Sequence, residues 1–362
     1  MIGFDPTEEQ TLIVETVRQF AEKEVRPLAR ECDESGKIPE GVLSEAHELG
    51  LVANSLPEDV GGGGERNAVT SALVAEELAA GDLALALAIL SPGLVALPVA
   101  EFGTGEQKER WLPRYLGDHF VPGSLALVEP HFGADPFRPR TRARRLTDGF
   151  VLDGEKCQVP WIPGDDTVLV VAEDDGVAQA FLVPRESSGL RATPERNLGI
   201  QALPTVELSL EGVRVPRSAR LGDEAGCDVA RIIAQGRVAL SATGVGVARA
   251  AFELSRDYAR ERHAFGAPIA TKQAIAFKLA DMAIETDAAR LLAWEAAWRL
   301  DQGEGALREA TLAYQQIRRV SLEVCDGAVQ VFGGHGYTRE YLPEMQLRNT
   351  RGFASFEALA LV

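Results

Sequence analysis

Hydrophobic residues recur at helical spacing through the first third of the chain. Within residues 5–32, Val17 and Phe20 fall on one face, and Asp5 offers an N-cap ahead of several acidic residues. A second helix is predicted over residues 39–49, and further apolar runs at helical spacing continue to about residue 120. The pattern therefore predicts an N-terminal all-α domain over residues 1–120.

The pattern then changes to short apolar or alternating runs separated by Gly, Pro and Asp. Such runs are typical of β-strands and predict a middle antiparallel β domain over residues 121–225. The predicted strands are Ser124–Val128, Phe150–Asp153, Thr167–Ala172, Gln179–Val183 and Thr205–Val215. Arginines at positions 138, 140, 142, 144 and 145 alternate at strand spacing. This spacing favours a solvated face over a phosphate-binding surface.

Helical spacing returns at about residue 226 in three long runs, over residues 228–262, 270–300 and 306–331. They predict a C-terminal all-α domain over residues 226–362, built as a four-helix bundle. The stripe expected to face the core in the second run is Phe277, Ala280, Ile284, Ala288 and Leu291. The corresponding stripe in the third run is Ala310, Tyr314, Ile317, Val320, Val324 and Val331.

Composition narrows the possible functions. The chain has 362 residues, enough for two or three domains, and its net charge of −17 argues against nucleic-acid binding. No apolar run approaches the ~20 residues of a membrane span, and the start, Met1 to Asp5, shows no secretory signal. Four cysteines without a CxxC pair favour a reducing, cytoplasmic location. Five histidines, never at metal-ligand spacing, predict no metal site.

The most specific pattern lies near the C-terminus. A helical run ends at Gln330–Phe332, and three glycines within four residues, including Gly333 and Gly334, then force a turn before Tyr337. Arg348 and Glu357 follow. This stretch resembles the C-terminal end of acyl-CoA dehydrogenases, the flavin enzymes that desaturate acyl-CoA thioesters.

The resemblance implies an α+β fold with the three domains described above and FAD as cofactor. It also implies that Glu357 is the base that removes the α-proton while the β-hydride passes to flavin N5. Gln330, Gly333 and Gly334 would contact the cofactor, and Tyr337 the substrate. The chain departs from the family pattern at Asn349, which replaces Asp, and around Glu357, where Phe-Glu-Ala-Leu replaces Tyr-Glu-Gly-Thr.

The segment from Arg262 to Phe277 resembles the family's Arg-x-x-Phe-Gly-x-Pro-Ile-x-x-x-Gln-x-x-x-Phe almost without change. The family assigns the Arg to the FAD pyrophosphate of a neighbouring subunit, and the Phe and Gln to the adenosine half. Arg262, Phe265 and Gln273 therefore imply a homo-oligomer, a dimer of dimers in the family. A plain helix end explains the Gly-x-Pro of this segment, but not these three residues together.

Several residues that the family places around the flavin ring are replaced in this chain. Val128 and Ala134 stand where the family has Thr and Ser, which contact the flavin or the bound thioester ligand. Gln158 replaces the Trp that shields the ring, and Pro160 replaces the Thr that bonds flavin N5. Trp161 is a candidate aromatic wall from a shifted register. In the CoA-facing segment, Arg237 matches an Asp-x-x-Arg step whose Asp is here Ala234.

Two alternatives to a dehydrogenase remain open. One is a flavin-poor, non-catalytic subunit that forms a heteromer with a related, active chain. The other is a flavoenzyme with different chemistry on a CoA thioester. The resemblance implies acyl-CoA as substrate and electron-transfer flavoprotein as electron acceptor.

Overall fold

The computed structural model describes residues 5–64, 66–303 and 305–362, so the predicted absence of a secretory signal lies mostly outside the described residues. Within the described residues, seven α-helices form the N-terminal region. They are α1 (Glu8–Phe20), α2 (Ala29–Ser35), α3 (Glu40–Glu48), α4 (Ala68–Gly81), α5 (Leu83–Ile89), α6 (Gly93–Phe102) and α7 (Gly105–Trp111).

The predicted helix over residues 5–32 begins later than expected and is not continuous. Thr7, and not Asp5, caps α1: its Oγ1 accepts from the Gln10 N–H at 3.1 Å, and the Gln10 side chain accepts from the Thr7 N–H at 3.0 Å. A π turn at Ala21–Val25 and a 3-10 turn at Arg26–Leu28 then lead into α2.

Helices α5 and α6 are almost wholly buried in the core. Among the described residues, no single helix is both long and apolar enough to cross a membrane. Only α5 and α6 taken together, with a bend of 41° between them, reach that length and composition. The cytoplasmic location stays a prediction.

One seven-stranded sheet forms the middle of the molecule. Its strands are β1 (Leu125–Ala126), β2 (Arg142–Arg145), β3 (Gly149–Pro160), β4 (Thr167–Asp174), β5 (Val177–Pro184), β6 (Leu190–Pro194) and β7 (Thr205–Pro216). The strand order is β1-β4-β2-β3-β7-β6, with β5 also paired to β4. Most pairs are antiparallel as predicted, but β4 runs parallel to β1 and β2, so the sheet is mixed. All five arginines between residues 138 and 145 are exposed, as expected.

The C-terminal region consists of α8 (Val229–Glu261), a small hairpin of β8 (His263–Ala264) and β9 (Ala267–Pro268), α9 (Gln273–Asp301), α10 (Leu307–Phe332) and α11 (Pro343–Arg351). The predicted stripe of α10 is buried throughout. The domain boundaries near residues 120 and 225 stay predictions.

The prediction of which face of α9 is buried in the core is wrong. Phe277, Ile284 and Leu291 are 61%, 65% and 45% exposed, and the two alanines of the stripe are also exposed. The buried face carries small residues such as Ala289 and Ala293, which let α9 pack against α8 and α10. Because both faces of α9 are apolar, helical spacing alone does not identify the inner one.

Candidate active site

Glu357 lies at the edge of a cavity of about 410 Å³ between the sheet and the C-terminal helices. One wall comes from the loop over residues 127–136, which follows β1, and from Cys157 and Gln158 of β3. The opposite wall comes from Tyr314 and Arg318 of α10 and from residues 354–357. The Glu357 side chain is 18% exposed. A carboxylate therefore borders an open space large enough for part of a ligand.

Arg237 of α8 holds this carboxylate in a two-point ion pair. Its Nη2 lies 2.8 Å from Glu357 Oε1, and its Nε lies 3.2 Å from Oε2. The third guanidinium nitrogen, Nη1, donates to Thr311 Oγ1 at 2.8 Å. A planar guanidinium bound at three points fixes the plane of the carboxylate that it meets. The structure therefore places Arg237, predicted as a substrate contact, against Glu357.

The backbone after Glu357 depends on a close approach to α8. Ala358 adopts φ +47°, a left-handed conformation that costs a non-glycine residue about 1–2 kcal/mol. A Cβ added to Gly236 would lie 2.8 Å from the Ala358 Cα. Gly236, which directly precedes Arg237 in α8, therefore allows Ala358 to pack directly against the helix backbone. Sequence reasoning assigned no role to Gly236, because Gly within a helix has many explanations.

Tyr314 fixes the segment that leads to Glu357. Its buried hydroxyl lies within hydrogen-bond distance of the carbonyl oxygens of Phe353, at 2.9 Å, and of Phe356. Burial raises the pKa of Tyr314, with Glu357 adding to the rise, so the hydroxyl keeps its proton at neutral pH. The sequence predicted Tyr314 only as a core residue.

A buried ion pair supports the wall formed by the loop over residues 127–136 and by β3. Lys156 Nζ lies 3.0 Å from Glu129 Oε1, and the backbone N–H groups of Arg140 and Thr141 donate to the same carboxylate at 2.8 Å. Burial would raise the pKa of Glu129, but Lys156 and these N–H donors lower it to about 2. Burial lowers the pKa of Lys156 to about 8 despite Glu129. The pair anchors the loop over residues 127–136 to β3.

Only some of the residues predicted around the flavin ring line the cavity. Val128 and Ala134 line the cavity with Glu357. Pro160 is buried, and its carbonyl oxygen accepts from Ser124 Oγ at 2.5 Å. Trp161 does not line this cavity, and its ring lies 4.0 Å from the Arg185 guanidinium carbon. The Trp161 backbone N–H donates to Pro204 O, and its role as an aromatic wall of the flavin site stays a prediction.

Gln158 fills the position left by the family's aromatic residue. It sits at a register shift of β3 between Lys156 and Val159, with φ +55°. Its Nε2 donates to Ser355 Oγ at 2.8 Å, which joins the two walls of the cavity. Sequence reasoning noted the replacement but assigned Gln158 no role, since the register shift has no local signature.

Six other residues predicted to bind FAD lie on the outer surface and do not line the cavity. They are Arg262, Phe265, Gln273, Gln330, Gly333 and Gly334. Phe265 and Gly266 form the turn of the β8–β9 hairpin with φ +53° and +79°, which leaves Phe265 97% exposed. Tyr258 joins this region to the glycine turn, because its ring stacks on Phe332 at 3.9 Å.

Three other residues singled out in the sequence, Tyr337, Arg348 and Asn349, lie away from the cavity. Tyr337 is 87% exposed and does not line it. Arg348 binds Asp33 at 2.6 Å and Glu344 at 2.8 Å, so it ties α11 to α2. Asn349, the replacement for Asp, accepts from the Ile200 N–H at 2.7 Å. Arg348 and Asn349 therefore hold the C-terminal segment in place.

Comparison with known proteins identifies the family. Residues 7–118 match the acyl-CoA dehydrogenase N-terminal domain, and residues 226–357 match the acyl-CoA dehydrogenase C-terminal domain. The chain is 37% identical over 361 residues to the probable acyl-CoA dehydrogenase YngJ of Bacillus subtilis, covering 97% of this chain and 94% of that protein. The chain belongs to the acyl-CoA dehydrogenase family, whose members are FAD-dependent oxidoreductases acting on CH–CH bonds.

Solved structures confirm the predicted fold. Butyryl-CoA dehydrogenase from Megasphaera elsdenii is similar with a TM-score of 0.89 at 29% identity, covering 98% of this chain and 96% of that chain. Glutaryl-CoA dehydrogenase from Mycobacterium smegmatis, solved in complex with FADH2, is similar with a TM-score of 0.88 at 29% identity, covering 97% of this chain and 91% of that chain.

The cavity offers partial hydrogen bonding to a flavin ring. Val128 and Pro160 supply no side-chain donor. Gln158, in contrast, carries a buried amide oxygen, Oε1, that has no hydrogen-bond partner among the described residues. An unmatched acceptor on the cavity wall fits a ligand that carries an N–H group, and the isoalloxazine ring is such a ligand. The protein residues therefore fit FAD with a set of contacts that differs from the family pattern.

Proposed function

We propose that this protein catalyses the α,β-desaturation of an acyl-CoA thioester with FAD as cofactor and Glu357 as base. The observation that carries the proposal is the Glu357 carboxylate, held by Arg237 at the edge of the cavity. Family membership supplies the reaction class, and this geometry supplies an oriented carboxylate at the position where the family places its base.

The ion pair leaves Glu357 able to accept a proton. Each carboxylate oxygen has two lone pairs, and Arg237 engages one on each oxygen. The remaining lone pairs are free for the α-proton of a bound thioester. Arg237 fixes the carboxylate before substrate arrives, so less ordering is needed during the reaction.

FAD, when bound, would supply the hydride acceptor of this reaction. We assign its ring to the cavity beside Glu357, with Val128 and Gln158 on the wall formed by the β region. Ala134 is the candidate contact for the thioester on the same wall. The electron acceptor we propose is an electron-transfer flavoprotein.

The surface residues support a homo-oligomer in which one subunit contacts the FAD of another. Arg262 is exposed and has no ion-pair partner among the described residues, and Phe265 projects beside it from the hairpin turn. A free guanidinium suits a pyrophosphate, and an exposed ring suits an adenine. The apolar stripe of α9 at Phe277, Ile284 and Leu291 offers a surface for subunit contact.

A non-catalytic subunit remains a second candidate, because one observation favours it. Val128 and Pro160 remove two side-chain hydroxyls on the ring side, and Pro160 only accepts a hydrogen bond. The ordered Arg237–Glu357 pair opposes this alternative, since a chain without catalytic function does not need an oriented base.

Flavin content and substrate reduction separate the two candidates. The purified protein should bind FAD, and anaerobic addition of butyryl-CoA or a longer acyl-CoA should bleach the flavin absorbance. We include butyryl-CoA because a similar solved structure is a butyryl-CoA dehydrogenase. A protein that stays colourless with excess FAD would contradict the proposal and favour the non-catalytic subunit.

A further inference from the structure

Gln158 combines backbone strain, a bridge across the cavity and an unmatched polar atom. Its φ of +55° is rare for a side chain of this size, and it lies within a long strand. Its backbone N–H donates to Glu195 Oε1 at 3.0 Å, and Glu195 Oε2 accepts from Thr205 Oγ1 at 2.6 Å. These contacts hold Gln158 in the strained conformation, which is typical of residues with a function.

The hydrogen bonds of Ser355 fix the orientation of the Gln158 amide. Ser355 Oγ lies 3.2 Å from Gly352 O and donates its single hydrogen to that carbonyl. It can therefore only accept from Gln158, and so the amide nitrogen faces Ser355 at 2.8 Å. The amide oxygen, Oε1, is left buried and without a hydrogen-bond partner among the described residues. Such an acceptor is satisfied only when a donor enters the cavity or the side chain turns.

We propose that Gln158 is a flavin-binding residue of this protein, and that its Oε1 accepts a hydrogen bond from the ring N–H of FAD. This inference rests on the proposed function. The oxidised isoalloxazine carries one ring N–H, at N3, and an amide oxygen is a suitable acceptor for it. Gln158 thereby compensates in part for the hydroxyls absent at Val128 and Pro160. The bond from Nε2 to Ser355 positions the amide between the two walls.

Two substitutions separate this binding role from a structural one. Gln158→Gly removes the amide and suits the positive φ, so without FAD the variant should unfold at the same temperature as the wild type or higher. Its FAD dissociation constant should rise by about 2- to 13-fold, the loss expected for one hydrogen bond. Gln158→Met keeps the length of the side chain and should weaken FAD binding to a similar extent. Gln201→Met, at an exposed glutamine of the same region, is the matched control.

An FAD analogue methylated at N3 tests the proposed donor directly. Methylation should weaken binding to the wild type but cause little further loss in Gln158→Gly, because the two changes remove the same hydrogen bond. Ser355→Ala leaves Oε1 in place and should weaken FAD binding less than Gln158→Gly does. Equal losses in these two variants would overturn the acceptor role, since the bond to Ser355 would then explain both.

The remaining outcomes distinguish failure of this inference from failure of the proposed function. If the wild type binds FAD and both Gln158 variants bind it equally well, the inference alone is overturned. A loss confined to butyryl-CoA affinity would also overturn it, because the amide would then serve an N–H of the CoA chain. If the wild type binds no FAD, the proposed function and this inference fail together.

Discussion

The contact between Gly236 and Ala358 gives a quantitative test of how the fold positions Glu357. In Gly236→Ala, the new Cβ would lie 2.8 Å from the Ala358 Cα and 2.9 Å from its Cβ. Ordinary carbon contacts are ~3.5–4.0 Å, so α8 and residue 358 must separate by about 1 Å. Glu357 precedes Ala358 and will move with it. A displacement of about 1 Å in a reacting group costs on the order of 100-fold in rate.

The effect on stability should be smaller than the effect on rate. Alanine within a helix gains about 1 kcal/mol over glycine, and overpacking costs about 1–3 kcal/mol. The net destabilisation expected for Gly236→Ala is therefore about 0–2 kcal/mol. Gly327→Ala in α10 is the matched control, because its Cβ would meet the flexible Met282 Sδ at 3.3 Å and should leave the rate unchanged.

Anaerobic stopped-flow reduction of the FAD-loaded variants by butyryl-CoA measures the rate, and urea unfolding measures the stability. We expect a large loss of reduction rate in Gly236→Ala with flavin binding retained. A reduction rate within about threefold of the wild type would refute the reasoning, because the close approach would then not position the base.

Three further predictions test other parts of the structure. Arg237→Lys replaces two contacts to Glu357 by one, so kcat should fall about tenfold or more with FAD affinity unchanged in a fluorescence titration. Ile284→Glu places a charge on the exposed stripe of α9 and should shift the oligomer towards smaller species in light scattering. The pKa of Glu129 is lowered to about 2 in the folded protein, so the ionised carboxylate stabilises the fold above about pH 4.5. This stabilisation, on the order of 3 kcal/mol, is lost as the pH falls towards 2. Glu129→Gln should therefore show a shallower acid dependence in urea unfolding.

The buried face of a helix can be predicted from the sequence when the spacing of its apolar residues allows only one interpretation. The apolar face of α10 is buried as expected, because only one side of that helix is apolar. In α9, however, alanines on one side and Phe277 with Ile284 on the other give two candidate faces. The size of the side chains determines which face is buried, since the small residues allow α9 to pack closely against its neighbouring helices.

The site is less predictable because its contacts join distant segments. Arg237 and Glu357 are 120 residues apart, so no local spacing reports their ion pair. The orientation of Gln158 depends on a shift in β3 and on Ser355, which is 197 residues away. Glu357 is named from the sequence only through the family resemblance, and its role as base stays a prediction.

The most direct test of the account is the reaction of Glu357→Gln with butyryl-CoA. The amide keeps the shape of the side chain but is not a base, so binding of FAD and butyryl-CoA should persist. In deuterated water, the wild type should exchange the α-proton and bleach its flavin, whereas the variant should do neither. A variant that still exchanges the α-proton and reduces its flavin at a rate near the wild type would show that the base is another residue.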